Sequence, residues 1–226
     1  MASLFFCQHM DFIKQLFDFV LHIDKHLLDI FTEYQGLSYG ILFLIIFVET
    51  GLVIMPLLPG DSLLFAAGAI IASSTTDSVS IEILIPLLIC AAIIGDNTNY
   101  FIGKFIGDKV VENKYLNRFI KKEYITKTEE YFAKHGGRTI IMARFIPIVR
   151  TFAPFVAGVG EMRYRTFLLF SIGGGALWVS SMTCLGYFFG NLEVVKNNFE
   201  IVVFGIIGIS LLPVIVGALK SKFSVK

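Results

Sequence analysis

Five ionisable residues stand inside apolar stretches of this chain: Glu49, Asp61, Asp96, Arg144 and Arg150. Each would cost about 2.5–3.5 kcal/mol at the centre of a membrane-spanning helix, so the set demands pairing, a water-lined cavity or an interface. Arg144 and Arg150 are six residues apart around Pro147. A guanidinium keeps its charge and offers a planar fork of donors that suits phosphate. A helix break beside it adds free backbone N–H groups, a further anion site. Glu49 and Asp61 suit another task. A carboxyl group at membrane depth feels desolvation, which favours its neutral form, and a neighbouring arginine, which favours its ionised form. Such a group is poised to exchange a proton. The competing reading of any single residue is a structural ion pair locking two halves together. For Asp96 the structural pair is the favoured reading, because Asn97 and Asn99 mark a polar, partly hydrated helix end near the cytoplasm. For the whole set a structural role is too little, since a lock needs one pair and not two arginines.

The elements that must position these residues follow from composition. The chain has 226 residues, 55% hydrophobic and 16% charged, with a mean hydropathy of +0.74. Soluble proteins average roughly 25% charged residues. A soluble surface is therefore excluded, and the richness in Phe, Ile, Leu and Val excludes disorder. An all-α, polytopic integral membrane protein remains. The net charge of +1 carries no nucleic-acid signal. Cys7, Cys90 and Cys184 form no even-numbered framework and read as packing residues.

Charge placement sets the topology. Residues 37–102 hold no Lys or Arg, whereas residues 103–138 hold nine basic and five acidic groups. Basic loops stay in the cytoplasm. Residues 103–138, the Arg163/Arg165 turn and the C-terminus are therefore expected inside, and the loop 73–82 outside. No secretory signal peptide is visible, because Asp11 and Lys14 interrupt the first apolar residues. Residues 1–35 form an N-terminal unit with an amphipathic helix over 11–34, and residues 36–226 form the transmembrane domain. Pro56, Pro59 and Gly60 break the apolar run that starts at Gly36. The piece after the break, residues 62–72, covers only about 16 Å. The economical reading is a re-entrant hairpin over about 40–72. A second one, broken by Pro147 and Pro154, is expected over about 139–160. Full spans are expected at about 82–107, 166–190 and 201–219, the last kinked by Pro213. The first hairpin would enter from outside and the second from the cytoplasm, which is the inverted-repeat plan of secondary transporters. A weak internal match, P-x-x-P-G…A-G against P-x-x-R-x-x-x-P…A-G ending at Gly158, supports it.

Weaker motifs take ordinary explanations. His22 and His26 have metal-ligand spacing but no third ligand nearby, so no metal is expected. Gly103-x-x-x-Gly107 and Gly173-Gly174-Gly175 permit close helix packing. No phosphate loop or nucleophile elbow is present.

With those residues in view, the chain resembles the DedA family of bacterial inner-membrane proteins, which share a domain with eukaryotic autophagy-related lipid scramblases. The resemblance rests on Glu49…Pro59-Gly60-Asp61, Gly95-Asp96…Tyr100…Gly103…Gly107, Arg144-Phe145-x-Pro147-x-x-Arg150, Ala157-Gly158 and Trp178. It covers roughly residues 36–190. It implies a re-entrant-loop, inverted-repeat transporter fold and movement of lipids between leaflets, notably undecaprenyl phosphate, driven by the proton motive force. It also implies that Glu49, Asp61, Arg144 and Arg150 are required. Ile148 stands where the family commonly has glycine, and Ser171 where it often has asparagine.

The expectation is a flippase without cofactor, in the bacterial inner membrane with a cytoplasmic C-terminus. Arg144 and Arg150 would bind the phosphate of the lipid. Glu49 and Asp61 would couple protons or release the headgroup. Asp96, Pro56, Pro59, Gly60, Pro147, Pro154 and Gly158 would support them. Its partners are the lipid, protons and the membrane, with a homo-oligomer left open. The rivals are a phosphatidylethanolamine or general phospholipid flippase or scramblase, and a proton-linked cation antiporter. An enzyme is not expected, since no His stands near the charged positions in sequence.

Overall fold

The computed structural model describes residues 36–52, 60–73, 80–112 and 136–190, with single positions between 192 and 208. The expected helix over 11–34, the Pro56/Pro59 turn and most of the 201–219 span lie outside the described residues. Those described form helices and turns without a strand. They comprise α1 (Leu37–Gly51), α2 (Gly60–Ser73), α3 (Ile81–Glu112), α4 (Arg138–Ala143), α5 (Pro147–Val159) and α6 (Tyr164–Phe189).

Local chemistry accounts for the boundaries. α1 is an apolar run whose backbone turns extended at Leu52. α2 starts at Gly60, directly after Pro59, with Asp61 in its first turn. Ser80 Oγ accepts the Glu82 N–H at 3.3 Å and so caps α3. α4 is only six residues long. Its end tightens through i→i+3 bonds from the Arg144, Phe145 and Ile146 N–H groups. Pro147 then opens α5 at a position where a missing N–H costs nothing. The second expected break differs from the sequence reading: Pro154 lies inside α5 and does not interrupt it. The break falls at residues 144–146, ahead of Pro147. α5 closes in a Schellman pair, with Met162 N–H on Ala157 O and Glu161 N–H on Gly158 O. Glu161 takes the left-handed conformation there, at φ 47°.

Two helices have the length and apolarity to cross a membrane, Ile81–Gly107 with 27 residues and Tyr164–Phe189 with 26. Each is about 40 Å long, against a hydrocarbon core of about 30 Å. α1, α2 and α5, at 15, 14 and 13 residues, reach only about 20 Å. Large apolar side chains are exposed among the described residues, Met142, Leu169, Phe188 and Phe105 for example. The charged residues of the apolar segments are inside instead.

Packing alternates between the two ends of the chain. α2 runs alongside α6, Phe65 meeting Gly186 and Ala69 meeting Gly190. α5 runs alongside α3 in the same way, Phe155 meeting Gly103 and Val159 meeting Gly107. At Gly68 an added Cβ would overlap the Thr183 carbonyl, and at Gly158 the Tyr100 carbonyl. Only glycine permits backbones this close. α1 lies along α3, with Tyr39 near Ser80 and Gly51 on Gly95. α4 lies along α6, with Gly137 against Phe170 and Ile141 against Gly174. The two long helices are antiparallel, since Asp96 meets Ser171 while Tyr100 stacks on Phe167. Two apolar clusters result. One gathers Leu42, Ile46, Leu64, Leu88 and Trp178, and the other Tyr100, Ile140, Ala157 and Phe167. Along α3, Asp96 falls between them.

Candidate functional site

The short helices deliver their charges to the middle of the long ones. Asp96 is about 22 Å along α3 from Ile81, and Trp178 about 21 Å along α6 from Tyr164. Glu49 comes from the last turn of α1 and Asp61 from the first turn of α2. Arg144 follows α4, and Arg150 lies in the first turn of α5. All five ionisable residues singled out in the sequence are buried, Glu49 and Asp96 to 1% exposure.

They assemble as two groups. Arg150 donates through Nη1 to Asp61 Oδ1 and through Nη2 to Glu49 Oε1. One guanidinium thus holds carboxylates from two helices. Arg144 donates through Nη2 to Asp96 Oδ2, which also accepts the Ser171 hydroxyl. Each arginine has its own partner set. Asp96 is in an ion pair, as the structural reading expects, but it is buried and not a hydrated helix end. The register of α3 turns Asp96 inward, where it needs a cation; Asn99, one turn on, is also fully buried. Asn97, on another face, is partly exposed and accepts the Tyr164 hydroxyl at 2.8 Å.

Trp178 joins the two groups. Its indole is fully buried and donates to Asp61 Oδ1 at 2.7 Å. The Arg150 guanidinium carbon lies 4.8 Å from the ring centroid and that of Arg144 5.7 Å. Both distances are within cation–π range. Gly60 sits against the Glu49 carboxylate, and any Cβ there would overlap it. Gly174 and Gly175 make room for the Arg144 side chain, which an added Cβ on Gly175 would approach to 3.1 Å. Asn99 fastens the frame: its Nδ2 donates to Thr50 O at 2.7 Å and to Thr151 O at 3.1 Å. The first acceptor is a carbonyl at the end of α1, which has no partner within its helix.

Among the residues expected to support the site, Gly60 is in contact with it. Gly158 serves the α3–α5 seam instead. Pro147 starts the helix that carries Arg150, and Pro154 lies further along it. Pro56 and Pro59 are outside the described residues. Trp178 entered the sequence reading only through the family resemblance, although a lone tryptophan in an uncharged span is a visible signal. Asn99 was seen only as a mark of polarity, and Ser171 only as a departure from the family.

Buried acids held by a buried arginine in an apolar shell make a site that can exchange partners. An anion entering it competes with carboxylates for Arg150. A cation or a proton entering it competes with Arg150 for carboxylates.

Comparison with known proteins identifies the family of the chain. Residues 58–188 match the VTT domain. The chain is 48% identical to Protein DedA of Escherichia coli strain K12 over 94% of its own length and 96% of that protein. It is 46% identical to an uncharacterized membrane protein of Mycobacterium tuberculosis over 80% of this chain and 78% of that one. It is 35% identical to the inner membrane protein YqjA of Escherichia coli over 70% of each. No solved structure matches. With a shared domain over more than half its length and near-complete coverage of a relative, this chain is a membrane protein of the DedA family.

Proposed function

We propose that this protein is a flippase that moves a phosphate-bearing lipid, undecaprenyl phosphate, between the leaflets of the bacterial inner membrane, coupled to the proton motive force. The observation that carries the reading is Arg150, buried and shared between Glu49 and Asp61. Its fork matches a phosphate as well as it matches carboxylates. Protons arriving on Glu49 or Asp61 would release the guanidinium to the headgroup, and the headgroup's departure would restore the ion pairs. The paired arginine 144 would offer a second phosphate contact. The prenyl chain would stay in the bilayer against the apolar exterior, and the lipid would leave chemically unchanged.

The fold proposed with this function is an inverted repeat of two re-entrant hairpins. Its support is the matching exchange of partners: α1 on α3 and α2 on α6 in one half, α4 on α6 and α5 on α3 in the other. The same Phe-x-Ala-Gly pattern (Phe65 to Gly68, Phe155 to Gly158) meets the same Gly-x-x-x-Gly pattern in both seams. The charge distribution argues for a cytoplasmic C-terminus.

The test is reconstitution with undecaprenyl phosphate and measurement of headgroup exposure over time under an imposed proton gradient. The Arg144→Ala/Arg150→Ala variant should fall to the rate of protein-free vesicles. A rate equal to wild type would sink the phosphate role. Lipid mass spectra before and after should be identical, and a hydrolysed product would point to an enzyme. A zwitterionic headgroup is the second reading, favoured by both charge signs meeting at Arg150. Phosphatidylethanolamine would place its amine on the acids and its phosphate on the arginines. Competition between the two lipids in the same vesicles separates the readings.

A further inference from the structure

We propose that Trp178 is a positioning residue of the site, holding the Asp61 carboxylate through its indole N–H while its ring bears the two guanidiniums. The proposal deepens the phosphate-lipid reading and rests on it for the meaning of the transport step.

The geometry is specific. Asp61 Oδ1 accepts from both Arg150 Nη1 and Trp178 Nε1. These are donors of different kinds, one a charged group at the end of a long side chain, the other carried by a ring packed in the apolar cluster with Leu64 and Leu88. When Arg150 turns from the acids toward an incoming phosphate, Asp61 would lose a donor at membrane depth. The indole N–H keeps that carboxylate satisfied and aimed, so that Arg150 can return to it. The ring does the same for the cations. Arg150 and Arg144 both lie within cation–π reach of it, although they belong to separate ion pairs. Movement of either guanidinium is therefore felt at one indole. A residue that only filled space would need neither the N–H nor the ring quadrupole, and Leu or Phe would serve.

Trp178 is the single tryptophan of the sequence, so the emission of the whole protein reports on this one position. The experiment uses the full chain in detergent micelles. First, without lipid, wild type is compared with Asp61→Asn. The emission spectrum should shift; coincident spectra would overturn the contact between indole and carboxylate, whatever the substrate is. Second, Trp178 is replaced by β-(3-benzothienyl)alanine, which keeps the ring shape and puts sulfur in place of N–H. Farnesyl phosphate binding is read by native mass spectrometry, with farnesol as the uncharged control, and transport is read in vesicles. Binding should persist while transport falls about ten- to a hundredfold, the scale of one lost hydrogen bond to a charged group. Trp178→Phe should lose both, since it weakens the ring contact as well. Transport by the benzothienyl variant within about twofold of wild type would overturn the positioning role. If wild type binds no farnesyl phosphate, the phosphate reading fails, and the first comparison still decides whether the indole holds Asp61.

Discussion

Arg150 spends both terminal nitrogens on carboxylates from two different helices, an arrangement that lysine cannot copy. Arg150→Lys should keep the charge balance but lose the bridge. We expect transport to drop about tenfold or more, with a smaller loss of thermal stability than in Arg150→Ala. The alanine variant leaves two buried acids without their cation and should cost about 3–5 kcal/mol. Transport rates in vesicles and unfolding midpoints in detergent check the two halves of this prediction. A cation antiporter would tolerate the lysine, so the same variant also separates that rival. Glu49, Asp61, Arg144 and Arg150 were legible in the sequence because charge in an apolar run is conspicuous. Their pairing was not. Whether Asp96 faces water or Arg144 depends on the rotation of α3 against α4 and α6, and no spacing within one segment encodes that. For the same reason Ser171 looked like a loss and is a donor to Asp96.

At the scale of the helices, the seams are made of backbone contact. Gly158→Val would force side-chain atoms into the Tyr100 carbonyl and push α5 off α3. Gly68→Val would do the same to α2 on α6. Both should lower the unfolding midpoint in detergent sharply, whereas Gly40→Ala, whose added Cβ has no described residue within 4 Å, should not. Asn99→Ala removes a donor shared by the end of α1 and the start of α5. The loss should be about 1–3 kcal/mol, the cost of leaving the buried Thr50 carbonyl at the end of α1 unsatisfied. It should also slow transport, because both helix ends carry site residues. The Gly103-x-x-x-Gly107 motif was readable as a packing face, but its partner was not. Phe155 to Gly158 is a generic apolar string until α5 is laid beside α3. Prolines and glycines act locally, and α2 does begin at Gly60 and α5 at Pro147. Pro154 was misjudged because proline inside a helix removes one hydrogen bond without having to end the helix. Its fate depends on the packing on either side.

Among the described residues, the large apolar side chains exposed along the helices and the five buried charges between them are what a lipid-facing molecule needs and a soluble one avoids. Composition made the membrane assignment possible and placed the two long helices. The proposed sidedness is checked by single-cysteine labelling in intact cells. A cysteine at Ser80 should react with an impermeant maleimide from outside, and one at Arg163 only after the membrane is opened. The reverse pattern would invert the topology drawn from the basic loops. The swapped seams also bear on how the protein is made. α2 emerges from the ribosome more than a hundred residues before α6, the helix it must lie against, and before Arg150 and Trp178, the partners of Asp61. During synthesis the first half therefore enters the bilayer before Arg150 exists to bridge Glu49 and Asp61, and the ionic centre closes only when the second half arrives. A fragment of residues 1–135 made alone should be cleared by membrane proteases. Co-expressed with residues 136–226 it should accumulate, because each fragment brings the other's missing helix and counter-charge.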